Sequence, residues 1–184
     1  MTTRKKQQFT VRELRTDAEL ALCLALDHSY VTDYVWQMDV REDSDDMTVR
    51  FRMVRLPRVM DVAYPRDEDH LMSSWQRRDC FLVAAVDDVV LGYVNMRIDA
   101  VGTTGWIHDL VVNKPFRRRR IGRALLEQAT RWAMLRGLQR LTLEMQTKNY
   151  PAIQFARARG FAFCGFNDRY YTNQDIVIFF SKSL

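Results

Sequence analysis

The chain has 184 residues, of which 47% are hydrophobic and 28% charged, enough apolar content to fill one core and unlike a disordered or fibrous chain. Its formal net charge of +5 is a modest excess, much of it held between Lys114 and Arg123, and does not by itself argue for nucleic acid. No apolar run approaches the ~20 residues that span a bilayer, and three cysteines without metal-type spacing argue against a disulfide framework or a metal site.

One domain over residues 1–184 is the expectation at this length. The start, Met1 to Gln8, is basic, and no apolar signal region follows it, so the expected location is cytoplasmic. Phe9 to Leu14 alternates and reads as a strand. Thr16-Asp17-Ala18-Glu19 is a capping box opening a helix whose apolar face takes Leu20, Leu22, Cys23, Leu24 and Leu26. Tyr34–Met38 and Val49–Leu56 alternate and pair as a hairpin across Arg41–Asp46. Tyr64-Pro65 and the charged run Arg66-Asp67-Glu68-Asp69 mark a loop, with a short helix near His70–Arg77. Cys80–Val86 and Val89–Ile98 form a tight hairpin turned by Asp87-Asp88. Each cysteine reads as a small core residue.

Thr103-Thr104-Gly105 turns into the strand Trp106–Val112, which feeds a basic turn, Asn113 to Arg120, and then a helix. Ile121, Leu125, Ala129, Trp132 and Ala133 recur at helical spacing, and Gly137 stands where a helix terminator belongs. Leu138–Met145 alternates as a strand. A strand joined to a helix through such a turn is an anion cradle, because a helix's first N–H groups lack intrahelical partners and carry partial positive charge. A solvated arginine loop is the alternative reading of the four arginines taken alone. Asn149 then caps a further helix, with Pro151 in its first turn and Gly160 after its last. Phe161–Phe166 and Asp175–Ser181 close the fold. The whole predicts a mostly antiparallel sheet with one right-handed parallel crossover near its middle.

At Arg117-x-x-Arg120-x-Gly122 the turn resembles the acetyl-CoA signature of the GNAT superfamily of N-acetyltransferases, Gln/Arg-x-x-Gly-x-Gly/Ala. Asn149 to Phe161 is similar to the family's Asn-x-x-Ala…Tyr-x-x-x-Gly-Phe segment, and the two motifs cover about the last eighty residues. Two positions depart from the pattern: Arg120 stands at the first glycine, and Ala156 stands where many members carry a tyrosine acid. The strand with Glu144, with Cys164-Gly165-Phe166 and the closing strand, looks most like the streptothricin-acetyltransferase branch.

The resemblance implies an α+β GNAT fold whose two parallel strands splay apart, with an acceptor-side half near 1–100 and an acetyl-CoA core near 104–166. It implies acetyl-CoA as co-substrate and no metal. Carried onto this chain, the backbone of Leu110, Val111 and Val112 holds pantetheine, and Arg117, Arg118, Arg119, Arg120, Ile121, Gly122 and Arg123 hold the diphosphate, with Asn149 a further contact. Glu144 and Asp109, on the splayed strands, are the implied proton acceptors, with His108 third. With Ala156 at the acid position, Tyr171 is the substitute, ahead of Tyr170 and Tyr150. The acceptor is a small-molecule or peptide amine: a cationic antibiotic- or polyamine-like molecule, or a protein N-terminus or lysine. The acidic run Asp33, Asp39, Glu42, Asp43, Asp45 and Asp46 would attract a cation. A non-catalytic module binding CoA or RNA is the reading from another class, and RNA is disfavoured because only Phe116 offers a stacking ring beside the arginines. No membrane partner is expected, and a homodimer is left open.

Overall fold

The computed structural model describes residues 9–65, 68–77 and 80–184. The basic start Met1–Gln8 and Arg66-Asp67 of the expected charged loop lie outside the described residues. The elements run β1 (Thr10–Glu13), α1 (Asp17–Leu24), β2 (Tyr30–Glu42), β3 (Met47–Val62), α2 (Glu68–Gln76), β4 (Cys80–Val86), β5 (Val89–Ile98), β6 (Thr104–Val112), α3 (Ile121–Leu135), β7 (Arg140–Gln146), α4 (Tyr150–Ala158), β8 (Ala162–Asn167) and β9 (Val177–Ser183). Seven strands make one sheet in the order β1-β4-β5-β6-β7-β9-β8, while β2 and β3 pair by themselves. β6 and β7 are parallel, and the other registered pairs are antiparallel. This is the α+β architecture expected from the sequence. Glu68 and Asp69 open α2 rather than extend a loop.

The chain divides into two compact units, one of Met1–His28, Arg66–Leu143 and Lys182–Leu184, the other of Ser29–Pro65 and Glu144–Ser181. In the first, Thr16 Oγ1 accepts the Glu19 N–H at 3.2 Å, as a capping box requires. The Glu19 carboxylate then reaches back to the Arg15 N–H and to the Arg12 guanidinium. Leu20 and Cys23 are buried, but Leu22, expected inward, is 44% exposed. Two residues are about 200° of helix, which turns Leu22 to the side opposite Leu20. Helix α3 packs on β4, β5 and β6 through Ile121, Leu125, Leu126, Ala129 and Ala133. Trp132, expected in that face, is half-buried with the Arg136 guanidinium 3.6 Å above its ring.

In the second unit β2 and β3 are longer than the sequence suggested, because the hairpin continues past a register shift between Thr32 and Tyr34. The extra residues fall on β3 around Pro57, where a missing N–H costs no ladder bond. Trp36 and Phe51 from this hairpin meet Phe163, Phe166 and Phe180. Helix α4 is capped by Asn149, whose Oδ1 accepts the Ala152 N–H at 3.1 Å. Both α3 and α4 end on left-handed glycines, Gly137 (φ 73°) and Gly160 (φ 82°). In each, the glycine N–H and the following N–H return to successive carbonyls of the last turn, a Schellman closure. Strand β7 is buried from Leu141 to Gln146 without alternation, as a strand inside a sheet covered on both faces must be. Cys23 and Cys80 are core residues as expected, whereas Cys164 on the outermost strand β8 is exposed.

Candidate active site

The parallel ladder of β6 on β7 runs from Thr104–Arg140 to Ile107–Leu143 and ends there. On its other side β6 continues with β5 as far as Val112, through a one-residue shift in which Asn95 faces Asp109 and Met96 faces Ile107. His108 is therefore the extra residue of a β-bulge, at the point where the parallel ladder stops. A bulge bends its strand and sharpens the local twist. Gly92 of β5 admits β6 closely here: a Cβ on it would lie 2.5 Å from the Val111 carbonyl oxygen.

Asp109 sits beside the bulge and is 1% exposed. Its Oδ2 accepts from Asn95 Nδ2 at 2.8 Å and lies 3.4 Å from His70 Nε2. The His108 and His70 rings meet edge to face at 5.9 Å. His28 Nδ1 donates to the Leu26 carbonyl at 2.6 Å, so its Nε2 accepts from the Tyr93 hydroxyl at 3.1 Å, and burial pushes its pKa down. A buried carboxylate held by an amide and an imidazole has partners inside the fold for the polar group it buries.

After β6 the chain passes through a 3₁₀ turn at Lys114–Phe116. Arg117 turns inward, its Nε donating to the Val112 carbonyl at 2.8 Å and its Nη2 to the Asp27 carbonyl at 2.9 Å. Burial lowers the pKa of that guanidinium. Arg117 thus pins the turn. Arg118 (φ 63°) and Arg120 (φ 67°) are both left-handed. This backbone gives a physical reason for the glycine that the resemblance expects at position 120, since a side chain there costs about 1–2 kcal/mol. Arg119 lies over Phe116 at 5.3 Å, and Arg123 pairs with Glu127 at 2.7 Å. Helix α3 has no side-chain cap and no acid in its first turn, and its internal bonding begins with the Ala124 N–H on the Arg120 carbonyl. The N–H groups of Ile121, Gly122 and Arg123 head the helix before that bond, a donor set that fits a diphosphate.

In the second unit Glu144, the first residue of β7 beyond the parallel ladder, is 8% exposed. Its Oε2 accepts from the Tyr170 hydroxyl at 3.3 Å. Tyr171, favoured from sequence, is buried, and its ring stands edge-on to Tyr170 at 5.1 Å. Ala156 is fully buried in α4. Sequence reasoning missed Asn95, His70 and the Tyr30–Gln146–Asp175–Lys148 chain of contacts, since none of them belongs to a motif. The uncapped start of α3, reached through two left-handed arginines, leaves N–H donors and positive charge where an anion can be accepted.

Residues 45–161 match the model of the acetyltransferase (GNAT) family. The chain belongs to that family and is an acetyl-CoA-dependent N-acetyltransferase. It is 30% identical over 177 residues to the streptothricin acetyltransferase of Streptomyces lavendulae, covering 93% of this chain and 90% of that one. A solved nourseothricin acetyltransferase superposes with a TM-score of 0.78 at 26% identity, over 95% of this chain and 98% of that one. A structure from Bacillus anthracis, assigned to streptothricin acetyltransferase and solved with acetyl coenzyme A, has the same fold, with a TM-score of 0.75 at 19% identity. It covers 96% of this chain and all of the other.

Proposed function

We propose that this acetyltransferase modifies a primary amine of a small cationic molecule of the streptothricin class. The observation that carries the reading is the 30% identity along 93% of the chain to a streptothricin acetyltransferase. The backbone of Leu110, Val111 and Val112 beyond the bulge takes pantetheine. The diphosphate rests on the N–H groups of Ile121, Gly122 and Arg123, with Arg118, Arg119, Arg120 and Arg123 around it and Arg117 holding the turn. Asn149 adds a contact beside its capping bond.

An amine with a pKa of ~10 is mostly protonated at neutral pH and must lose a proton before attack. Glu144 takes that proton, with the Tyr170 hydroxyl orienting its carboxylate. The amine nitrogen bonds to the thioester carbonyl carbon, the carbon–sulfur bond breaks, and the nitrogen's second proton is released as the amide forms and coenzyme A departs as thiolate. The thiolate, with a pKa near ~8.5 for an ordinary thiol, takes up that second proton, directly or through solvent, so that the net reaction releases one proton by way of Glu144. Asp109, held by Asn95 and His70, fixes the side chains packed against the bulge of β6.

The test is purified protein with acetyl-CoA and streptothricin, a polyamine set, or peptides with free N-termini, followed by coenzyme A release and product mass. Streptothricin is expected to gain one acetyl group. Acetylation of peptides with none of streptothricin would overturn the reading. Glu144→Gln is expected to lower kcat/KM by about 100-fold at neutral pH, in the range of general-base losses.

A further inference from the structure

We propose that Asp175 is a positioning residue that holds the β8–β9 loop so that the Tyr170 hydroxyl stays on Glu144; the inference rests on Glu144 as the proton acceptor. Glu144 and Gln146 are two apart on β7 and so present their side chains to the same face of the strand. The loop engages both. Tyr170 donates to Glu144 at 3.3 Å, and Asp175 accepts from the Gln146 side-chain amide. Gln146 is 2% exposed and is fixed from its other end by the Tyr30 hydroxyl, which donates to Oε1 at 2.8 Å.

Asp175 also takes the Lys148 ammonium, at 2.9 Å on Oδ1 and 2.7 Å on Oδ2, and the Asn173 amide at 2.7 Å. Its backbone carbonyl accepts the N–H groups of Tyr170 at 3.2 Å and Tyr171 at 3.4 Å. One residue therefore ties the loop to β7 by its side chain and carries both tyrosines by its main chain. Tyr170 is 39% exposed, and its ring meets those of Tyr171 and Phe179 edge-on. Two left-handed residues, Arg169 (φ 53°) and Gln174 (φ 62°), add a conformation that an untied loop would relax. Fixing such a segment carries an entropic cost that the Asp175 contacts offset.

A purely structural Asp175 and a positioning one differ in what happens to Glu144. Removing a hydroxyl that donates to a carboxylate raises the carboxyl pKa. The Glu144 carboxyl is followed by ¹³C NMR titration in protein free of acetyl-CoA and acceptor, in the parent, Tyr170→Phe, Asp175→Ala and the double variant. The expected result is an upward shift in Tyr170→Phe, a shift of the same size in Asp175→Ala, and no further shift in the double variant. With streptothricin as acceptor, kcat falls roughly fivefold in both single variants, about one hydrogen bond's worth, and the acetyl-CoA dissociation constant stays unchanged. An Asp175→Ala titration like the parent's, or a double-variant shift equal to the sum of the singles, would overturn the proposal. Should Asp175→Ala fail to fold, Lys148→Met removes one tie and is expected to shift Glu144 in the same direction by less; no shift there overturns the proposal equally. A parent protein that acetylates no amine sinks the proposed acceptor chemistry, while the titration still decides the role of Asp175.

Discussion

Two helices of the first unit begin in opposite ways. Helix α1 starts on Thr16, whose hydroxyl caps it, and has Asp17 and Glu19 in its first turn. Helix α3 starts on a left-handed arginine, has no side-chain cap and no acid in its first turn, and is preceded by Arg117, Arg118 and Arg119. The first satisfies its N–H groups and its dipole from within the chain. The second leaves both to an anion. A helix start that would count as a defect in a structural helix becomes, on the proposed function, the means of binding.

That contrast can be broken most forcefully by giving α3 the acid that α1 has. Arg120→Asp supplies an internal anion and removes a cation, and should raise the acetyl-CoA dissociation constant by roughly 30–100-fold, or about 2–3 kcal/mol. Calorimetry measures it, and affinity within twofold of the parent would mean the α3 terminus does not bind the diphosphate. Removing the α1 cap by Thr16→Ala should lower stability by about 1 kcal/mol in denaturant titrations, with acetyl-CoA affinity untouched. Arg120→Gly relieves the left-handed backbone and should raise stability by about 0.5–1 kcal/mol, keeping the N–H groups and hence most of the affinity.

The smallest effect depends on pH. The Arg12 guanidinium, then the Arg15 N–H, hold the Glu19 carboxyl below its usual range. A carboxylate depressed on folding stabilises at pH above its unfolded value, near ~4.3, and loses that contribution as pH falls through its folded value. Glu19→Gln should therefore lower Tm at neutral pH, and the gap from the parent should close as the pH drops below about 4. A gap that stays constant in thermal scans across this range would show that the pair adds no stability.

What could be read from the chain follows the range of each signal. Thr16–Glu19, Gly137, Asn149 with Pro151, and Gly160 act within a turn or two, and each stands where its local chemistry placed it. The basic turn was legible for the same reason, though the inward path of Arg117 was not, because Asp27 lies ninety residues earlier in the chain. The Tyr170–Glu144 bond spans 26 residues and depends on a loop without a pattern, so it could not be read from the sequence. Leu22 was misplaced because four leucines and a cysteine in seven positions satisfy more than one helical face. The bulge at His108 leaves no mark in composition, and it emerges only from the pairing of β5 with β6.

Cys164 has a practical meaning for all of these measurements. Cys23, whose pKa burial pushes up to about 12, and Cys80 are both buried, so the outermost strand offers solvent one accessible sulfhydryl. A maleimide dye will mark that strand stoichiometrically, six positions before Tyr170, and can report motion of the tyrosine loop by fluorescence. The same group adds a fixed background of one equivalent per chain to any colorimetric readout of liberated coenzyme, which a Cys164→Ser version removes.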